Sequence, residues 1–212
     1  MNKYARFCCK NYNIFNLLAP DYCCMCGKIG DSVCEPCQKR LEKCCKNYNT
    51  WQKELVGACR DDASELSELV KQYKYYSVFS LARPLSEIFA NYLPDAENII
   101  LVPAPTAPKH IRQRGLDHTT KLARHIAKIK GWEYQNLISR TSNSRQVGKD
   151  SKTRQKQARN SYEINPKIAI DPNKTYLIID DITTTGATLK ACKTILKNSG
   201  AKNIHTAVLI KS

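Results

Sequence analysis

Residues 175–188 read Thr-Tyr-Leu-Ile-Ile-Asp-Asp-Ile-Thr-Thr-Thr-Gly-Ala-Thr, and they constrain the fold more than any other stretch of the chain. The first five are apolar, β-branched or aromatic, the composition of a short buried strand. Two adjacent carboxylates follow, Asp180 and Asp181. A loop of small residues spans 183–188, and residues 189–198 then have the spacing of a helix that ends at Gly200. A strand, a hydroxyl-and-glycine loop and a helix start gather several backbone N–H groups around one point, a concavity that holds a phosphate. Threonine hydroxyls add donors, and Gly186 lets the backbone approach the anion closely. Neighbouring acids at a strand end repel each other, and a ligand with several hydroxyls, or a cation, resolves that conflict. The combination points to a sugar phosphate. The plainer alternative is an ordinary β-turn-α connection with a capping Thr. A Walker-type nucleotide loop is excluded, because the chain has no Gly-x4-Gly-Lys-Ser/Thr run.

The 212 residues suffice for one domain of about 150 residues and a small appendage. No apolar run approaches the roughly 20 residues of a membrane span. The apolar patch at 14–19 is too brief and interrupted for a signal peptide, so a cytoplasmic protein is expected. Thirty-four Lys and Arg against nineteen Asp and Glu leave a net charge of +15. The excess is concentrated: fourteen basic and three acidic residues lie between Lys109 and Arg159. Such a stripe implies an anionic partner, a polyphosphate substrate, a nucleic acid or both. Solvated surface lysines account for part of it.

Ten of the eleven cysteines fall before residue 60, which divides the chain into an N-terminal region, 1–60, and a larger domain, 61–212. In a cytoplasmic chain they do not form a disulfide framework. Cys23-x2-Cys26 and Cys34-x2-Cys37, with Gly27 and Gly30 between them, have the spacing of a four-thiolate structural zinc site. A closed site of four cysteines serves folding and not catalysis. Cys24 could replace Cys23 only by breaking the x2 spacing. Cys8, Cys9, Cys44, Cys45 and Cys59 read as free thiols.

Along the rest of the chain, 61–73 reads as a helix with Leu66, Leu69, Val70 and Tyr73 on one face and Asp61 or Asp62 as cap. A second helix covers 78–93, kinked at Pro84 or starting there. A buried strand at 99–102 leads into a prolyl loop, 103–108, that delivers Lys109, His110, Arg112, Arg114 and Gly115. A helix at 116–130 and a strand at 134–138 follow. Residues 139–160 are polar and basic without periodicity, which fits a mobile lid. A last strand occupies 202–210. Alternating strands and helices argue for an α/β fold with a mostly parallel sheet flanked by helices, and for a ligand at the carboxyl ends of the strands, near Asp180 and Pro103.

Residues 176–188 resemble the signature of type I phosphoribosyltransferases that binds 5-phosphoribosyl 1-pyrophosphate (PRPP): a hydrophobic strand, Asp-Asp, then Thr-Gly-x-Thr. The resemblance implies that Asp180 and Asp181 hold the ribose 2′ and 3′ hydroxyls, and that the loop, with Thr183, Thr184, Thr185, Gly186, Ala187 and Thr188, holds the 5′-phosphate. Three further blocks are similar to the ComF family, phosphoribosyltransferase-like proteins with an N-terminal zinc ribbon, linked in several bacteria to natural DNA uptake. These are Pro20-x2-Cys23-x2-Cys26-Gly27, then Val102-Pro-Ala-Pro105 with Arg112-Gln-Arg-Gly-Leu-Asp-His118, then Arg140…Gln146…Arg154-x2-Gln157. Leu116-Asp117-His118 stands where that family has Phe-Asn-Gln. The resemblance implies binding of PRPP with Mg²⁺, the pyrophosphate resting on backbone near Ala104–Thr106 and on Arg112 and Arg114, whose guanidinium groups pair with two oxygens at once. It also brings single-stranded DNA and competence proteins into view as partners. The acceptor of the sugar and the oligomeric state, a homodimer included, stay open.

Overall fold

The computed structural model describes residues 22–44, 56–60, 64–140 and 162–211. In chain order the elements are α1 (Glu35–Cys44), β1 (Val56–Arg60), α2 (Ser64–Tyr75), a 3-10 turn at Phe79–Leu81, α3 (Ala82–Tyr92), β2 (Ile99–Pro103), α4 (Pro108–Arg114) and α5 (His118–Lys130). Then come β3 (Glu133–Tyr134), β4 (Ile138–Arg140), β5 (Tyr162–Ile164), β6 (Thr175–Thr183), α6 (Ala187–Asn198) and β7 (Asn203–Lys211). Pro20, Gln146, Arg154, Gln157, the capping acids Asp61 and Asp62, and Cys8, Cys9 and Cys45 lie outside the described residues, as does most of the expected lid.

Five strands form one parallel sheet in the order β1-β7-β6-β2-β3. β6 is central because its apolar residues Tyr176 to Ile179 are buried on both faces, the pattern that parallel strands demand. Leu177 and Ile179 join one core with Leu66, Leu69, Leu85, Ile88, Leu122 and Ile126, from α2, α3 and α5. Tyr176 and Ile178 join another with Leu189, Cys192 and Leu196 of α6. The period of two along β6 thus sorts its side chains between two helical layers. β4 and β5 pair antiparallel in a separate small sheet on the α6 side.

From β2 the chain passes through α4 and α5 to β3, on one side of the sheet. From β6 it passes through α6 to β7, on the other. The two connections diverge from adjacent strands, with Pro103 beside Ile179, so a crevice opens at their carboxyl ends.

Several local expectations need correction. The helix expected over 116–130 begins at His118 and is preceded by a separate α4; Gly115, at φ 72°, terminates α4, and Asp117 caps α5 by accepting from Thr120 N at 3.2 Å. Of the two alternatives at Pro84, a kink or a start, the helix starts close to it: Pro84 is the third residue of α3, where an N–H has no intrahelical acceptor to lose. The strand expected at 134–138 is divided between β3 and β4, which belong to different sheets. β1 was not expected at all: it pairs with β7, so a boundary at residue 60 assigns one strand of the main sheet to the N-terminal region. That region is packed on the rest, since Cys23, Met25, Val33 and Leu41 belong to the same core as α2, α3 and α5.

Candidate functional site

β6 runs through both acids to Thr183, farther than the five residues expected, and α6 starts at Ala187 instead of Leu189. The loop between them is correspondingly tight. Gly186 turns it at φ 69°, a left-handed conformation that other residues adopt only with strain. Thr183 Oγ1 accepts from Gly186 N at 3.1 Å, and Thr185 Oγ1 from Ala187 N at 3.4 Å, so two threonines hold the turn in shape. Thr184 and Thr185 are exposed. The N–H groups of Thr188 and Leu189 belong to the first helical turn and have no intrahelical acceptor; with the helix dipole they favour an anion at this end.

Both acids sit inside the strand, Asp181 directed to Lys74 of α2, and their carboxyl groups lie close enough to interact with each other. Asp180 is partly exposed, and its Oδ1 accepts from Asp181 N at 2.9 Å. Asp181 is fully buried: its Oδ1 accepts from Lys74 Nζ at 2.6 Å and from Ile182 N at 2.8 Å. Burial, reinforced by the neighbouring Asp181 charge, pushes the Asp180 carboxyl well above its usual range. Burial acts on Asp181 in the same direction, but the Lys74 ammonium outweighs it and holds that carboxyl below its usual range. One acid is thus a fixed anion, and the other titrates more readily than an ordinary carboxylate.

Across the crevice, Ala104 N donates to Ile179 O at 2.8 Å, which locks the prolyl loop to β6 and occupies one of the backbone N–H groups expected to meet pyrophosphate. Thr106 Oγ1 donates to Asp117 Oδ1 at 2.9 Å, so the capping acid of α5 also fastens this loop. Arg112 is exposed on α4, and the Arg114 guanidinium lies over the Tyr75 ring, 5.1 Å from its centroid. His118 is buried against Tyr73 in an edge-on ring contact, 4.7 Å between centroids. Burial, then the Arg114 charge, lowers its pKa, which keeps the imidazole neutral. Lys74, Tyr73 and Tyr75 escape a sequence reading, since their partners lie far along the chain and no local motif marks them.

The four paired cysteines converge. The sulfurs of Cys23, Cys26, Cys34 and Cys37 all lie within 4.8 Å of one another, with Cys26 and Cys34 at 3.6 Å. A tetrahedron of thiolates about 2.3 Å from a zinc ion has edges of roughly 3.8 Å, so the set can hold a metal such as zinc. Burial opposes ionisation of Cys23, but N–H groups of Cys34, Cys26 and Met25 bring its thiol down to about 6. Cys24 is not part of the group; its sulfur is directed to Tyr22 O at 4.0 Å.

Residues 113–212 match the family model described as phosphoribosyl transferase domain. Competence protein ComFC of Streptococcus pneumoniae is 27% identical over 207 residues, covering 92% of this chain and 91% of that protein. The chain is a homologue of the ComF competence proteins. A second relative of this ComF homologue, competence protein F of Haemophilus influenzae, is 23% identical over 198 residues, covering 87% and 82% of the two chains. Among solved structures, the allosteric regulatory enzyme of purine biosynthesis aligns at 17% identity with a TM-score of 0.48, over 66% of this chain and 30% of that one. A purine phosphoribosyltransferase from Pyrococcus horikoshii aligns at 16% and 0.36, over 76% and 89%. The ComF homologue has the type I phosphoribosyltransferase-like fold, a parallel sheet flanked by helices on both faces. No helix among its described residues is long and apolar enough to cross a membrane.

Proposed function

We propose that this ComF homologue binds PRPP in the crevice between the β2 and β6 carboxyl ends and transfers its phosphoribosyl group. The observation that carries this reading is the tight Thr183–Gly186 turn, held by Thr183 Oγ1 at the start of α6, directly beyond a partly exposed Asp180. In this reading the 5′-phosphate rests on the turn and on the first N–H groups of α6. Asp180 accepts from the ribose hydroxyls, while Asp181 holds it in place through the N–H that donates to its Oδ1. Arg112 and Arg114 pair with the pyrophosphate. Mg²⁺, bound with PRPP, would neutralise charge on the departing pyrophosphate.

Transfer breaks the bond from ribose C1 to a pyrophosphate oxygen, which leaves with the electron pair. The acceptor supplies the pair for the new bond to C1 and gives up a proton. Between these events C1 has oxocarbenium character, so the protein's contribution is to orient the sugar, pair the leaving anion and exclude water. The test is release of pyrophosphate from PRPP with a panel of nucleobases. Release that requires Asp180 supports transfer; a wild-type chain that binds no PRPP in calorimetry with Mg²⁺ overturns the reading.

One observation favours a second reading, an accessory protein of DNA uptake that senses PRPP without transferring it. A groove of about 370 Å³ beside Gly186 is lined by Lys190, Lys193 and Lys197 on one face of α6. Such a row meets the phosphates of single-stranded DNA. DNA affinity that falls steeply with salt and is unaffected by Asp180→Asn supports it. A cytoplasmic location, competence-protein partners, a homodimer and zinc as the resident metal of the cysteine cluster belong to this proposal in either form.

A further inference from the structure

The last turn of α2 places three consecutive residues on three parts of the crevice. Tyr73 Oη donates to His118 O at 2.9 Å, at the start of α5. Lys74 Nζ donates to Asp181 Oδ1 at 2.6 Å, on β6. Tyr75 lies beneath Arg114 of α4. All three precede the stretch that matches the family model. α2 is thus a third wall of the crevice, alongside the prolyl loop and the threonine turn.

The polar atoms at this wall are unevenly satisfied. Asp181 Oδ2 and both ring nitrogens of His118 are buried and have no hydrogen-bond partner. Orphaned polar atoms in such numbers are uncommon in a protein interior and mark a place where a further polar group belongs. The ion pair is lopsided as well: the Asp181 side chain is 1% exposed and that of Lys74 is 21%. An ammonium has three donors, and Asp181 Oδ1 uses one of them. The member of the pair that can touch a ligand is therefore the lysine. Lys74 also feels the charge of Asp180, so its ammonium at the strand end lies in the field of both carboxylates.

We propose that Lys74 is a ligand-binding residue of this crevice, a cation presented to the oxygens of a phosphorylated sugar, and that Asp181 is the anchor that aims it. This rests on the reading of the crevice as a PRPP site. It reverses the roles of acid and base in the motif: the second aspartate binds a side chain of its own protein, and that side chain binds the ligand. A structural ion pair that only holds α2 to β6 would leave ligand affinity indifferent to Lys74 once folding is secured.

The experiment compares PRPP binding, by calorimetry and by ligand-induced shift in melting temperature with Mg²⁺, in the wild type, Asp181→Asn, and the double variant Lys74→Met with Asp181→Asn. The double variant leaves no unpaired charge inside, so its fold is retained. The expected result is PRPP binding at least tenfold weaker in the double variant than in Asp181→Asn. Lys74→Gln in an otherwise unchanged chain gives a second readout, with a tenfold loss expected against the wild type. Equal affinity in the double variant and Asp181→Asn overturns the proposal. So does complete loss of binding in folded Asp181→Asn, which would make Asp181 itself the contact. A wild type that binds no PRPP removes the reading of the site, and this inference with it; wild-type binding with an indifferent Lys74 removes the inference alone.

Discussion

Lys74 and Asp181, 107 residues apart, meet at 2.6 Å, and the acid is shut away from solvent while the base is not. Breaking such a pair from the basic side strands a carboxylate in the interior. Lys74→Met is therefore expected to destabilise the fold by about 3 kcal/mol. The loss should shrink as pH falls toward about 4, where the stranded acid takes up a proton. Urea unfolding at two pH values checks both statements, and adding Asp181→Asn should recover most of the loss.

Asp180 carries the opposite linkage. Its carboxyl is raised by burial and by Asp181, so the folded chain holds the proton more tightly than the unfolded one. Stability is fully present below the ordinary carboxylate range and is lost as pH rises through the raised value. Asp180→Asn should remove that loss and raise the melting temperature near neutral pH by a few degrees, while weakening PRPP binding. Melting curves between about pH 4 and pH 8 decide it; a variant with the same pH slope as the wild type contradicts the assignment.

Gly186→Ala meets open space, since nothing lies within 4 Å of the added Cβ. Its penalty is torsional, about 1 kcal/mol for a left-handed residue other than glycine. The relaxed turn should also lose its hold on the anion. Denaturant midpoints measure the first effect and phosphate titration the second.

The cysteine cluster is expected to bring down about one zinc per chain in metal analysis. Cys34→Ser should lose the metal and lower the melting temperature, because Cys23, Met25 and Val33 are part of the core shared with α2 and α3. Cys24→Ser should leave the metal content unchanged.

Much of this architecture is legible without coordinates, for reasons that can be located. Tyr176 to Ile179 are apolar without a break, which only a doubly covered strand tolerates. The x2 spacing of the cysteines brought four sulfurs together as expected. The continuation of β6 through Asp180 and Asp181 is harder to see, because aspartate is rare inside strands and the apolar run stops before them. β1 is hidden because Val-Gly-Ala-Cys-Arg is short and contains glycine, and pairing with β7 supplies its order. α4 is hidden because none of its residues is buried, so no apolar periodicity marks a helix between Pro108 and Arg114. Lys74 belongs to a sequence of ordinary helix formers, and only the three-dimensional path of α2 brings it to the acid.

β2 borders β6 along five residue pairs, from Ile99 beside Thr175 to Pro103 beside Ile179, yet it precedes residue 113. A fragment cut to the stretch that matches the family model would keep the threonine turn and strip the central strand of one neighbour. Its bare backbone edge, flanked by isoleucine and leucine, would seek another copy to pair with. Clumping, and not a minimal enzyme, is the fate this sheet order assigns to such a truncation.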